Sequence, residues 1–450
     1  MTLVAKSIAN CPEIVKAKQK ILEEVAKKQA ILTGVKPADS ELKKSYDETI
    51  AEFNQLRGQN LFYPMIGSGA GNGALVELAD GSVKYDCVSG IGVHFGHGHP
   101  LILEAGLDAA IQNVPMQGNL LQNEDSVELC ELIVKASGID HCLLTTSGAM
   151  ANENALKLLF HNKHPAYRIL AFEGCFMGRT LTLSHITDKP HYREGLHAHI
   201  FVDYIPFYDW REPQKSTKKA VEALKRFLIR YPNQYAGMCM ELIQGENGFY
   251  PGNSEFFQAL IEVLKENEVP ILIDEVQTFG RTTHLFAFQH FGLEEHVDVV
   301  AMGKLSQVCA TLYTSKLKPR PGLVSQTFTS STSAIRCSKA ILSSLLNEGY
   351  LGNSGKNMQL RKHLVDHLKA IEGRHPEKLE GPHGSGLMIA CTPYKGERAK
   401  VIDLTRRLYD AGVITFIAGM DPTRLRFLLP AGGVSFKDID MIMKIFEETL

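Results

Sequence analysis

Short apolar runs and amphipathic stretches alternate through the middle of the chain. Ile271-Leu-Ile273 and Val297-Asp-Val-Val-Ala-Met302 each suit a buried strand, as do Ile169-Leu-Ala-Phe172, the residues from Ala236 to Met240, and a short run ending at Thr145. Between them the 3.6-residue spacing predicts helices over 101–112, 126–137 and 256–268, and another beginning near Ala149. Strand and helix in alternation predict a parallel sheet with helical crossovers. After residue 304, VCATLYTS reads as a strand running back along that sheet. From Gly384 the pattern turns into a compact α+β unit that ends in a helix from Phe436. Ahead of the sheet, residues 10 to about 58 read as a solvated helical arm, with Asp39 or Ser40 capping its second helix. ALVEL and VKYDCV follow as strands joined by the turn Ala79-Asp-Gly-Ser82. These patterns divide the chain into an arm with a small-domain segment (1–95), a large domain (96–340) and a C-terminal small domain (341–450).

Composition narrows the function classes. At 450 residues, two or three domains are expected. A hydrophobic share of 44%, a charged share of 22% and a formal net charge of −2 fit an ordinary globular protein, with no general field for nucleic acid or an anionic membrane. Nine cysteines without a C-x-x-C pair argue against a disulfide framework or a zinc ribbon and fit a reducing cytosol. The N-terminus lacks the apolar core of a signal peptide, and no apolar run reaches the length of a membrane span. Cytoplasmic residence is therefore expected.

Candidate chemistry gathers at the ends of predicted strands. Asp274 ends one, and Gly303-Lys304 follows another. Open α/β sheets bind ligands at the carboxyl ends of their strands. A lysine able to form a Schiff base, with an acid facing a pyridinium nitrogen, is what pyridoxal 5'-phosphate (PLP) chemistry requires. Thr146-Ser147-Gly148 turns from strand to helix, where small residues and free backbone N–H groups could cradle a phosphate or simply cap the helix. Phe176 and Arg179 follow another strand, and Glu241 ends the run from Ala236. Gly69-Ala-Gly71-Asn-Gly-Ala74 matches G-x-G-x-x-A but leads into a strand, the wrong context for a dinucleotide site. His94, His97 and His99 have no acid or cysteine nearby to complete a metal set, so no metal site is assigned.

Several motifs in one order resemble the class III aminotransferases, the ornithine/ω-amino-acid branch of PLP enzymes of fold type I. They are Ser147-Gly-Ala-Met-Ala-Asn-Glu153, Phe176-Met-Gly-Arg-Thr180, Glu241-Leu-Ile-Gln-Gly-Glu-Asn-Gly248, Asp274-Glu-Val-Gln-Thr-Phe-Gly-Arg-Thr282 and Gly303-Lys304, within a likeness running from about residue 60 to the end. The resemblance implies an α/β large domain with a mostly parallel seven-stranded sheet and a small α+β C-terminal domain. It implies that Lys304 is the Schiff-base lysine and Asp274 the partner of the ring nitrogen, both catalytic. Gln277 would meet the ring hydroxyl, Phe176 would stack on the ring, and Ser147, Gly148 and Ala149 would hold the phosphate. Thr327 would reach the phosphate of a neighbouring subunit, implying a homodimer with shared sites. Arg426 resembles the arginine that binds a substrate carboxylate, Glu241 the acid that pairs with it, and Arg179 a second anion clamp. The implied reaction moves an amino group from an ω-amine or diamino acid to a 2-oxo acid. The chain departs from the pattern at Met150, Met177, Thr329-Ser-Ser-Thr332 and the turn after Lys304, where Gln307-Val-Cys309 resembles lysine 6-aminotransferases. The alternative is a lyase of the same fold, eliminating ammonia or phosphate from an amino-alcohol phosphate or a hydroxy-aminophosphonate.

Overall fold

The computed structural model describes residues 3–88, 90, 92–111 and 116–450. They form two compact units. One runs from residue 114 to 358 and includes 383–388; the other takes the residues up to 113, 359–382 and 389–450. The breaks at 113 and 358 correct the boundaries of 95 and 340 expected above. Packing, not composition, decides them. The helix Pro100–Ala110 lies against the N-terminal helix Pro12–Gln29, tied by Lys18 to Asp108 at 2.5 Å. The helix Thr332–Asn347 lies against Glu124–Ser137, where Asp125 accepts from Arg336 at 3.0 Å and Lys339 at 2.9 Å. The helix expected over 101–112 starts one residue earlier, behind His99 as its cap, and its last expected residue, Gln112, lies outside the described residues.

The first unit holds a seven-stranded sheet. Its strands in chain order are β1 (His141–Thr145), β2 (Arg168–Phe172), β3 (Phe201–Ile205), β4 (Tyr235–Met240), β5 (Ile271–Asp274), β6 (Val299–Met302) and β7 (Cys309–Tyr313). In space the order is β1-β7-β6-β5-β4-β2-β3. The neighbours from β6 to β3 are all parallel, and β7 runs antiparallel to both β6 and β1. VCATLYTS is thus the returning strand its pattern predicted. β4, β5 and β6 are buried on both faces, which is why they read as unbroken apolar runs.

In the second unit, Val413–Ile414 pairs in parallel with Val83–Asp86, so the two ends of the chain share one four-stranded sheet. Tyr63 and Tyr409 stack at 5.0 Å beside Leu78 and Ile414 and close the small core between them. The Gly-rich run begins an antiparallel hairpin, Gly67–Asn72 with Leu75–Leu78, and leads into no helix. Gly71 stands where a Cβ would lie 2.3 Å from that of His97, so the glycines serve close backbone approach. The three histidines have separate work: His97 meets Asp86 at 2.9 Å, His99 caps a helix, and His94 packs on Phe95. Asp39 caps the arm's helix Ser40–Arg57 by accepting from the N–H of Glu41. Among the described residues, no helix is long and apolar enough to cross a membrane.

Candidate active site

Strand direction places the candidates at one edge. β4, β5 and β6 are adjacent and parallel, with Met240 opposite Ile273 and Asp274 opposite Ala301. Glu241, Asp274 and the Gly303-Lys304 pair therefore leave the sheet side by side. β7 carries the register onward, pairing Met302 with Ala310 and Cys309 with Thr145. The turn at Ser147 opens on the same edge.

Asp274 is buried, with one oxygen accepting from Asn152 Nδ2 at 2.7 Å and the other from the N–H of Val276 at 2.8 Å. Burial pushes its pKa up to about 6, against the opposing pull of these two donors and of the Lys304 charge. At neutral pH it remains mostly a carboxylate. Glu241 is shifted further, up to about 8, by burial and then by the Asp274 charge. Its oxygens accept from the N–H groups of Phe176 at 2.7 Å and Gly245 at 3.1 Å. Glu275, fully buried, is pushed up to about 7 and accepts from the N–H of Phe288.

The helix α1 (Gly148–Asn162) begins directly after the turn. Ser147 caps it by accepting from the N–H of Met150 at 3.2 Å. A side chain at Gly148 would come within 2.8 Å of Val276, so the helix start sits tight against the loop beyond Asp274. A helix N-terminus presents N–H groups that have no intrahelical partner, together with the positive end of the dipole. Gln277 donates to Glu246 at 2.9 Å, while its buried Oε1 has no hydrogen-bond partner. Lys304 adopts a φ of +53°, left-handed backbone that costs a side-chain-bearing residue about 1–3 kcal/mol and is concentrated at functional sites. Phe176 is half-buried, its ring edge-on to Tyr192.

These residues fit PLP. A buried carboxylate can accept from a ring N–H, the open end of Gln277 can meet a ring hydroxyl, and the α1 terminus can take a phosphate. Three candidates remain to be placed. Arg179 is exposed and donates to the Tyr192 hydroxyl at 3.0 Å with its guanidinium over that ring. Thr327 is exposed, next to the short strand pair Met116–Gln117 and Ser330–Ser331. Arg426 belongs to the second unit, buried on the strand Arg424–Phe427 with its guanidinium 5.2 Å from the Phe416 ring.

Asn152 was not singled out in the sequence. It bridges Asp274 and the carbonyl of Met177, fixing the carboxylate from the far side. It lies inside the motif Ser147–Glu153, where nothing but an amide at an inward helical position marks it as a partner of Asp274. Glu275 was missed for the same reason, as a second acid directly after the first.

A family model described as Aminotransferase class-III matches residues 61–450. An acetylornithine aminotransferase of Bradyrhizobium diazoefficiens is 31% identical, over 81% of this chain and 87% of its own. One from Caldanaerobacter subterraneus is 26% identical, over 84% and 93%. The solved structure of a lysine aminotransferase from M. tuberculosis superposes with a TM-score of 0.79, covering 89% of this chain and 99% of that one at 22% identity. With the family matched from residue 61 to the last, the chain belongs to the class III aminotransferases and is a PLP-dependent transaminase.

Proposed function

We propose that this enzyme takes the terminal amino group of a diamino acid or ω-amine and passes it to a 2-oxo acid. The observation that carries the reading is the row of Glu241, Asp274 and Lys304 along one sheet edge, with the α1 terminus opening beside it. The relatives' names, acetylornithine and lysine aminotransferases, favour a diamino acid.

When bound, PLP supplies an electron sink for the carbon that loses a proton. Each protein group has one task around it. Asp274 would hold a proton on the ring nitrogen. The amine of Lys304 takes the proton from the substrate carbon and returns it, as a general base and then a general acid. Ser147, Gly148 and Ala149 would hold the phosphate, Gln277 would meet the ring hydroxyl, and Phe176 would cover the ring face. Arg426 takes a substrate carboxylate, an assignment resting on its motif. Glu241 is the acid suited to face that arginine when no carboxylate is bound, and Arg179 is a further anion contact. Exposed Leu120, Leu121 and Phe328 near Thr327 support a homodimer in which Thr327 serves the partner's phosphate. Nine cysteines with no disulfide suit a reducing cytosol.

An acceptor-dependence assay tests the reaction. Glutamate should appear when a diamino acid and 2-oxoglutarate are both present, and from neither alone. Release of ammonia or phosphate without any acceptor would replace transfer with elimination. Sedimentation velocity tests the dimer, and a monomer at full activity would remove the role of Thr327.

A further inference from the structure

A cluster in the second unit lies outside the transamination machinery. It joins α2 (Lys356–Arg374) to the C-terminal helix α3 (Phe436–Thr449). His363 and His367 stand four residues apart on one face of α2. Their Nε2 atoms lie 2.6 and 2.8 Å from the same oxygen of Asp440 on α3. Among the described residues this is the group of three whose metal-ligating atoms all fall within 4.8 Å of one another.

We propose that His363, His367 and Asp440 form a divalent transition-metal site that staples α2 to α3. Two imidazoles and a carboxylate match zinc and its neighbours, whereas Mg²⁺ and Ca²⁺ prefer oxygen throughout. The geometry is close to what zinc needs. Ligand atoms on a tetrahedral zinc stand about 3.3 Å apart, from bond lengths of about 2.0–2.1 Å. Opening the two contacts to that spacing moves Asp440 by less than about 1 Å. The backbones that carry the ligands are already fixed, since Leu364 and Leu368 on α2 and Ile439 and Ile442 on α3 are fully buried. Phe436 sets the His363 ring edge-on at a centroid distance of 5.0 Å. The side chains remain open to solvent, 33% and 35% exposed for the histidines and 53% for the aspartate, leaving room for a water as fourth ligand. Binding at Nε2 requires each ring to carry its proton on Nδ1, so the metal replaces the two hydrogen bonds to Asp440. An i,i+4 histidine pair facing a carboxylate on another helix also cross-links the C-terminal helix to the unit, adding coordinate bonds to a seam otherwise held by apolar packing, the Arg374–Glu447 ion pair and hydrogen bonds.

The test is calorimetric titration of the PLP-loaded, chelator-stripped enzyme with Zn²⁺ and, separately, Mg²⁺. One equivalent of Zn²⁺ should bind and raise the melting temperature, and Mg²⁺ should do neither. His367→Gln and Asp440→Asn should each weaken Zn²⁺ by about tenfold or more, whereas Asp440→His, which supplies a third imidazole, should keep it. Unchanged affinity in the two weakening variants, or no uptake by the wild type, overturns the proposal and leaves a hydrogen-bonded seam only. Should a variant not fold, the Co²⁺ spectrum of the wild type decides. Absorption of a tetrahedral site without a thiolate charge-transfer band supports these ligands, and a thiolate band assigns the metal to cysteine instead.

Discussion

Asp274 and Asp440 are the same side chain in two settings. Asp274 ends a central strand, is buried, and has its pKa pushed up to about 6 although two donors and a lysine charge oppose the shift. Asp440 sits on a helix seam open to water, and its hydrogen bonds from His367 and His363 hold it below the usual carboxylate range. At the sheet edge burial outweighs partners. On the seam there is little burial to oppose, and the partners decide. Glu241 and Glu275 at the edge follow Asp274, while Glu447 on the seam, paired with Arg374 at 2.6 Å, follows Asp440. Desolvated carboxylates cost stability, so a cluster of them marks where the fold gives stability up for chemistry. Substitutions at the edge should therefore change activity and its pH dependence, and those on the seam should change stability slightly.

The largest effect is expected at Lys304. Lys304→Ala should lower kcat by about ten-thousand-fold or more and abolish the yellow absorbance of lysine-held cofactor. Survival of that absorbance would assign the lysine's role elsewhere. Asp274→Asn should come next. An amide cannot stabilise a charge on the ring nitrogen, so kcat should fall roughly a hundred- to a thousand-fold with cofactor still bound. Stopped assays and the absorption spectrum of the same preparation separate lost chemistry from lost cofactor.

Asn152→Ala tests the comparison from inside the site. Removing a donor from a buried carboxylate lets its pKa rise beyond about 6. Activity at neutral pH should drop and partly recover as the pH is raised. A pH profile of kcat/KM that does not move would show that Asn152 only packs.

Much of the edge was legible because strands buried on both faces are bare apolar runs. The polar residue that ends such a run is conspicuous, as Asp274 and Lys304 are. The turn at Ser147 was legible for a related reason: a strand, three small residues and a helix leave few ways to fold. Asn152 was not, because whether a helical amide faces solvent or a carboxylate is settled by the neighbouring strand. The unit boundaries escaped as well. They depend on helix pairs such as Thr332–Asn347 with Glu124–Ser137, contacts between segments some 200 residues apart that leave no local mark. The seam escaped entirely, since Asp440 is 77 residues from His363.

The effects on stability alone form the sharpest contrast. Glu241 has a raised pKa, so its contribution to stability is present below its ordinary value of 4.5 and is lost as pH rises through about 8. Glu241→Gln cannot ionise. Its stability relative to wild type should therefore climb over that window, by on the order of a few kcal/mol, on top of a constant loss from an amide that satisfies only one of the two N–H donors. Asp440 has a lowered pKa, so its contribution is present above the usual carboxylate range and is lost as pH falls through the lowered value. In metal-free enzyme, Asp440→Asn should cost at most about 1 kcal/mol, because solvent screens the pair, so that cost can change by no more than this small amount as its two histidine partners lose their charge between mildly acidic and neutral pH. Melting curves of both variants beside wild type from mildly acidic to alkaline pH give one steep difference and one shallow one. Two parallel lines would mean that burial does not separate the edge from the seam.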